Sequence, residues 1–251
     1  MDTNNVVSGF ARGLRVIEAF GDAASRLSIS QAAKLTGLDR ATARRCLLTL
    51  SELGYAHYDG KFFTLTPKVL RLGQSYLAGA PLARIVQPFL DALSEEVGQS
   101  TSVSVLDGTE IIYVARAAQR RVISISLSAG SRLPAYCSSM GRILLAALPD
   151  QEARAVLGNS ELVVRTQHTR IATAEIAAEL EAVRSQGYAV IDQELELGLR
   201  SIAVPLVGRR GRVEAALNIG AAAIGDAPNR MVELYLRPLQ RTAKDISDLL
   251  S

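Results

Sequence analysis

Two histidines and two cysteines are the whole supply of the side chains that most often serve as general base or thiol nucleophile. His57 falls in a short polar and aromatic stretch and His168 in the run TQHTR, and no GxSxG elbow accompanies either. Cys46 and Cys137 make no CxxC or Cys/His spacing of the kind structural zinc sites use, and such sparing use of cysteine suits a reducing cytoplasm. Cys137 beside Ser138 invites a nucleophile reading, yet a small buried apolar role suits the thiol better. There is no Walker loop or dinucleotide fingerprint, and GRRGR at 208–212 reads as a basic turn between strands. No enzyme activity, metal or cofactor is expected.

The chemistry that does stand out is cationic. DRATARRCLLTL, residues 39–50, places Arg40, Arg44 and Arg45 at the front of an amphipathic helix whose Ala43, Cys46, Leu47, Leu50 and Leu53 share one face. An exposed charged face is ordinary by itself, so the neighbouring elements decide its meaning. Residues 8–20 carry apolar positions Phe10, Leu14, Ile17 and Phe20 at helical spacing, and SISQAAKL at 28–35 is a short helix with a serine cap. Thr36-Gly37-Leu38 is a tight turn before the arginine helix, and YAHYDGKFFTL reads as a hairpin about Asp59-Gly60. This order is that of a winged helix-turn-helix, in which the second helix of the motif enters the major groove by its N-terminal residues.

On that reading Arg44 and Arg45 face outward as base readers and Arg40 flanks them toward phosphate. Thr42 and Thr49 are expected phosphate contacts, Gln31 a further one through its amide, and Lys61 at the hairpin tip reaches the backbone beside the groove. Charge agrees: residues 1–79 hold 10 Lys/Arg against 6 Asp/Glu, net +4, whereas 80–251 hold 18 against 19, net −1. The expected division is 1–65 as the DNA-binding domain, 66–79 as a linker helix opened by Thr66-Pro67, and 80–251 as a second domain. In that last part, helices at 82–97 (kinked or restarted at Pro88), 139–148, 150–157, 173–186 and 228–249 mix with strands at TSVSVL, IIYVARA, VISISLSA, YAVI, SIAVPLV and VEAALNIG. The irregular order points to an α+β domain with a curved antiparallel sheet. The first residues lack a basic start and apolar h-region, and no stretch reaches the roughly 18 apolar residues of a membrane span, so a cytoplasmic protein away from membranes is expected.

RGLRVIEAF, SISQAAKLTGLDRATARRCLLTLSELGYA and LTPKVLRLG, together with LPAYCSSMGRILLA and DQELELGLRSIAVPL, resemble the IclR family of bacterial transcription factors over nearly the whole chain. The last two segments resemble its branch that regulates aromatic-acid catabolism through the β-ketoadipate pathway. The resemblance implies a homodimer or tetramer on a palindromic operator in double-stranded DNA, and makes residues 80–251 a GAF-like effector-binding and oligomerisation domain that takes a small organic acid. The apolar sides of the first and linker helices are the expected dimer surfaces.

Ser138 or Ser139 caps the helix of SMGRILLA, and a carboxylate docks naturally at such a terminus, although an ordinary N-cap has the same pattern. The resemblance marks Ser139 and Met140 as ligand-facing, where many relatives carry smaller residues, so a narrower pocket or a flatter ligand is implied. It also marks Asp192, Glu194, Ser201 and Asn218. Two acids beside an anion must bond its hydroxyls, be protonated or be neutralised; Arg200 is the neutralising candidate, or else simply a structural ion pair. A hydroxylated aromatic acid such as protocatechuate or 4-hydroxybenzoate and a keto diacid such as β-ketoadipate both satisfy this set. The competing reading is a DNA-binding protein whose second domain only oligomerises.

Overall fold

The computed structural model describes residues 6–21, 25–72, 81–119, 127–208, 211–223 and 229–250. The chain divides into two compact units, Met1–Ala80 and Pro81–Ser251.

In the first unit, α1 (Ser8–Glu18), α2 (Ile29–Thr36) and α3 (Arg40–Glu52) pack around Val16, Leu27, Ala32, Ala43, Leu47 and Phe63. Ser28 begins α2 with a reciprocal capping box to Gln31, and Gly37 closes it at φ 68°, a left-handed turn that glycine adopts without steric cost. Asp39 then caps α3 by accepting from the Thr42 N–H at 2.8 Å. A three-stranded antiparallel sheet of β1 (Arg26–Leu27), β2 (Ala56–Tyr58) and β3 (Phe63–Leu65) forms the wing, in the order β1-β3-β2. The two-residue β1 is too short to show a period, and only the hairpin was legible. Phe10 and Leu14 of α1 are 68% and 40% exposed, and Leu53 at the end of α3, expected on its packed face, is also exposed. The expected linker helix begins as a 3-10 turn at Pro67–Val69 and stays helical through 72; residues 73–79 of it lie outside the described residues.

The second unit is built on a six-stranded antiparallel sheet, ordered β6-β5-β4-β9-β8-β7. Its strands are β4 (Ser100–Asp107), β5 (Glu110–Ala117), β6 (Arg132–Pro134), β7 (Ala189–Asp192), β8 (Leu199–Val207) and β9 (Val213–Ala222). Helices α4 (Pro81–Val97) and α8 (Asn229–Leu250) bury Val86, Leu90, Leu93, Leu239 and Ile246 against one face. On the other face lie α5 (Ser139–Ala146), α6 (Asp150–Asn159) and α7 (Thr173–Gln186), packed through Leu144, Leu145, Leu157, Ile176 and Leu180. This is the α+β arrangement expected, helices covering both sides of an antiparallel sheet. Pro88 does not end α4, which runs on through it, forgoing one backbone bond. Of the expected strand VISISLSA, residues 122–126 lie outside the described residues, as do Arg209 and Arg210 of the basic turn.

Candidate DNA interface and effector pocket

The capped start of α3 presents Arg40, Arg44 and Arg45 to solvent, while Ala43, Leu47 and Leu50 of the same helix are buried. The arginines therefore occupy the helix side that its packing leaves free. Arg45 is partly tethered, donating from Nη2 to the Thr42 hydroxyl at 3.3 Å. Thr42 itself is only 6% exposed, so its side chain steadies the helix start and does not present an oxygen for phosphate, contrary to the sequence expectation. Thr49 is exposed but bonds back to the Arg45 carbonyl at 2.8 Å. Gln31 spends its amide oxygen on Ser28, accepting from the Ser28 N–H at 2.9 Å and hydroxyl at 2.8 Å, which leaves its amide NH2 to donate outward.

At the wing tip, Asp59 accepts from the Lys61 and Phe62 N–H groups at 2.8 and 2.7 Å. Those two bonds hold its carboxyl below the ordinary carboxylate range. The turn so fixed carries Lys61 exposed, and Arg26 of β1 stacks over the Phe62 ring at 4.6 Å. Arg26 is thus a further cation of the wing, missed because β1 was not foreseen.

In the second unit a pocket opens between the start of α5 and the sheet. Ser138, Ser139 and Met140 line it from the helix, Ser201 and Asn218 from the sheet. The structure so brings together five of the eight expected effector residues. Ser138 is the cap: its Oγ accepts from the Gly141 N–H at 3.2 Å and donates to the Pro134 carbonyl at 2.9 Å. The Ser139 Oγ and the Asn218 Oδ1 are buried without a hydrogen-bond partner among the described residues. Unsatisfied polar atoms inside a protein cost free energy, and both line this pocket.

The other three expected residues are turned elsewhere. Side chains alternate across a strand, so Ser201 and its partner Ile191 face the pocket while the next pair, Arg200 and Asp192, faces the opposite side of the sheet. There Arg200 Nε donates to Asp192 Oδ1 at 2.7 Å. The structural ion pair is the alternative that holds. Glu194 is 3% exposed and its Oε2 accepts from Arg142 Nη2 at 3.1 Å and from the Arg170 N–H at 3.2 Å. Burial raises the Glu194 pKa and lowers that of Arg142, and each charge opposes the other's shift. Arg142 also reaches the Tyr136 carbonyl at 2.5 Å, so this fully buried cation ties the segment before α5 to the loop after β7. That loop begins at Gln193, held at φ 59°, and brings Leu195 to the pocket lining, where Leu199 at the start of β8 joins it.

Several lining residues escaped the sequence reading. Ser100, Ser102 and Ser104 alternate along β4 and are all buried on the α5 side; Ser100 lines the pocket, and Ser104 donates to the Met140 sulfur at 3.2 Å. Their period of two was visible in STSVSV, but a polar stripe is ordinarily assigned to solvent. Tyr113, whose phenol burial pushes up to about 12, and Arg116 line the pocket together. Strict alternation would send these two to opposite faces. A β-bulge prevents that, since Ser104 pairs with Tyr113 and Val103 with Ala115, so Val114 is skipped. Cys137 lies in the wall with its thiol pushed up to about 11, mainly by burial. His168 is exposed and no histidine lines the pocket among the described residues. No helix among the described residues is long and apolar enough to cross a membrane.

Comparison with known proteins agrees with this two-part architecture. Residues 10–60 match the IclR helix-turn-helix domain and residues 74–248 the bacterial transcriptional regulator IclR C-terminal domain. The chain is 44% identical over 241 residues to the Pca regulon regulatory protein of Pseudomonas putida, covering 96% of this chain and 83% of that protein. It is 35% identical to the p-hydroxybenzoate hydroxylase transcriptional activator of Acinetobacter baylyi, over 99% of this chain and 93% of that protein. Among solved structures, an IclR homolog from Microbacterium hydrocarbonoxydans complexed with 4-hydroxybenzoate aligns at a TM-score of 0.79 and 25% identity, over 97% of this chain and 99% of that one.

Proposed function

The chain belongs to the IclR family of bacterial transcriptional regulators, and on that premise we propose that it controls aromatic-acid catabolism genes, its hold on operator DNA being set by a small carboxylic acid. It is a DNA-binding regulator and not an enzyme. The observation that carries the effector reading is the pocket at the start of α5, where unpartnered buried oxygens of Ser139 and Asn218 meet an apolar wall of Leu127, Leu133, Ile191, Leu195 and Leu199. Such a site suits a flat ring bearing a carboxylate and hydroxyls. The 4-hydroxybenzoate complex of the Microbacterium homolog supports the same ligand class.

Arg44 and Arg45 read base edges and Arg40, Lys61, Gln31 and Thr49 hold the phosphate backbone in this account. One short recognition helix makes few base contacts, so a homodimer, or a tetramer built from dimers, on a palindromic operator supplies selectivity. The exposed Val6, Val7, Phe10 and Leu14 on and before α1, and Leu70 and Leu72 of the linker start, are the apolar surfaces such an assembly would cover.

The test is a thermal-shift panel of protocatechuate, 4-hydroxybenzoate and β-ketoadipate with the full chain. At least one of them raises the melting temperature and changes operator affinity. No shift across a broad panel of aromatic and dicarboxylic acids would favour a second domain that only oligomerises.

A further inference from the structure

Arg116 is the one charged side chain among the described residues that line the effector pocket. It sits at one end of a row across the sheet. Arg116, Ser102 and Asn218 are successive cross-strand partners on β5, β4 and β9, and partners side by side project from the same face. The guanidinium leans along that row, donating from Nη1 to the Ser102 hydroxyl at 3.2 Å. No carboxylate among the described residues pairs with it, and burial lowers its pKa with only Tyr113 acting against the shift. Every other partly or fully buried arginine of the site's surroundings is matched: Arg142 with Glu194, and Arg200 with Asp192. A half-buried guanidinium satisfied by a single neutral hydroxyl retains four N–H donors and an unbalanced charge. The unpartnered Asn218 amide oxygen lies in the same row, and the unpartnered Ser139 hydroxyl lies on the α5 side of the pocket.

We propose that Arg116 binds the carboxylate of the effector, with the Ser102 hydroxyl and the Asn218 NH2 as neutral donors beside it, so that the acid group lies over the sheet and the hydroxylated end points to Ser139 at the start of α5. The proposal rests on the effector reading above and reverses the orientation that the α5 terminus alone suggests. The guanidinium supplies a planar fork for the carboxylate, a geometry the helix terminus lacks. The β-bulge at Val114 is what makes this possible, because it sets Arg116 on the α5 side of the sheet. The ligand class is narrowed to rigid acids with one carboxylate and a hydroxyl at the far end of an apolar body.

Two variants of the full chain and two pairs of probes test this: protocatechuate and 4-hydroxybenzoate, each against its carboxamide, titrated by calorimetry. The parent prefers acid to amide. Arg116→Gln lowers acid affinity about tenfold or more and leaves amide affinity within about twofold, since only a charge-assisted contact is lost. Without effector its melting temperature stays at or above the parent's, because an unbalanced buried charge is gone; a merely structural arginine would lower it. Arg116→Lys keeps the preference for acid at reduced affinity, and its unchanged affinity would overturn the proposal even if the glutamine variant failed to fold. An acid preference of parental size in Arg116→Gln would place the carboxylate at α5 and overturn the proposal while sparing the effector reading. A parent that binds none of the probes would overturn both.

Discussion

Replacing Gly141 with alanine puts a methyl group where the structure has no room for one. Gly141 lies in the first turn of α5, and a Cβ built there meets the Ala135 carbonyl oxygen at 2.1 Å and the Ala135 Cα at 2.4 Å. Ordinary carbon contacts begin near about 3.5 Å, so helix and strand end must part by more than about 1 Å. Overpacking of this kind costs about 1–3 kcal/mol. Alanine returns about 0.5–1 kcal/mol of helix propensity. A net loss of about 1–2 kcal/mol lowers the melting temperature of a unit this size by roughly 3–6 °C. The displaced segment runs straight into Cys137 and Ser138 of the pocket wall, so effector affinity falls with stability. Scanning calorimetry and effector titration of the same preparation measure both. Gly158→Ala is the control: it lies in α6 with nothing within 4 Å of the added methyl and is neutral or slightly stabilising. A Gly141→Ala protein that melts with the parent and binds effector normally would refute the close packing described for α5.

Arg44→Ala and Arg45→Ala each cost about 1–3 kcal/mol of operator binding where the arginine reads a base, whereas Lys61→Ala weakens all sequences alike and lowers the salt slope by about 1; gel shifts at several salt concentrations separate these outcomes. Arg142→Met takes the buried guanidinium from Glu194, which keeps only the more exposed Arg170, and destabilises the second unit by up to about 3 kcal/mol in urea melts. In an alkylation time course at pH 8, Cys46 reacts well before Cys137, because the latter's thiol is pushed up to about 11 and is wholly buried.

What was legible in the sequence followed from period and punctuation. The apolar face of α3 apart from Leu53, the Gly37 turn and the hairpin at Asp59-Gly60 are local signals, and each is found where the residues put it. The effector pocket was legible from local pattern only at one helix terminus, Ser201 and Asn218 being marked by the family resemblance. Ser138, Ser139 and Met140 sit together because they are consecutive, but Arg116 depends on a bulge set by pairing between β4 and β5, which no single segment reveals. Asp192 and Arg200 illustrate the converse. Strand alternation relative to Ser201 places them on the far face, and their mutual ion pair accounts for both charges without a ligand. Thr42 was misjudged for a related reason: its hydroxyl lies on the packed side of α3, one residue away from the exposed Ala41 and two from Arg44.

In this reading one small acid, bound in the pocket at the start of α5, alters the grip of the arginine helix on DNA. Footprinting the DNA upstream of its own gene with the full chain, with and without protocatechuate, 4-hydroxybenzoate and β-ketoadipate, tests it most directly. The expected result is a protected palindrome whose occupancy shifts with at least one of the three acids, and does so less in Arg116→Gln. A footprint indifferent to every acid, or none that Arg44→Ala and Arg45→Ala weaken, would contradict it.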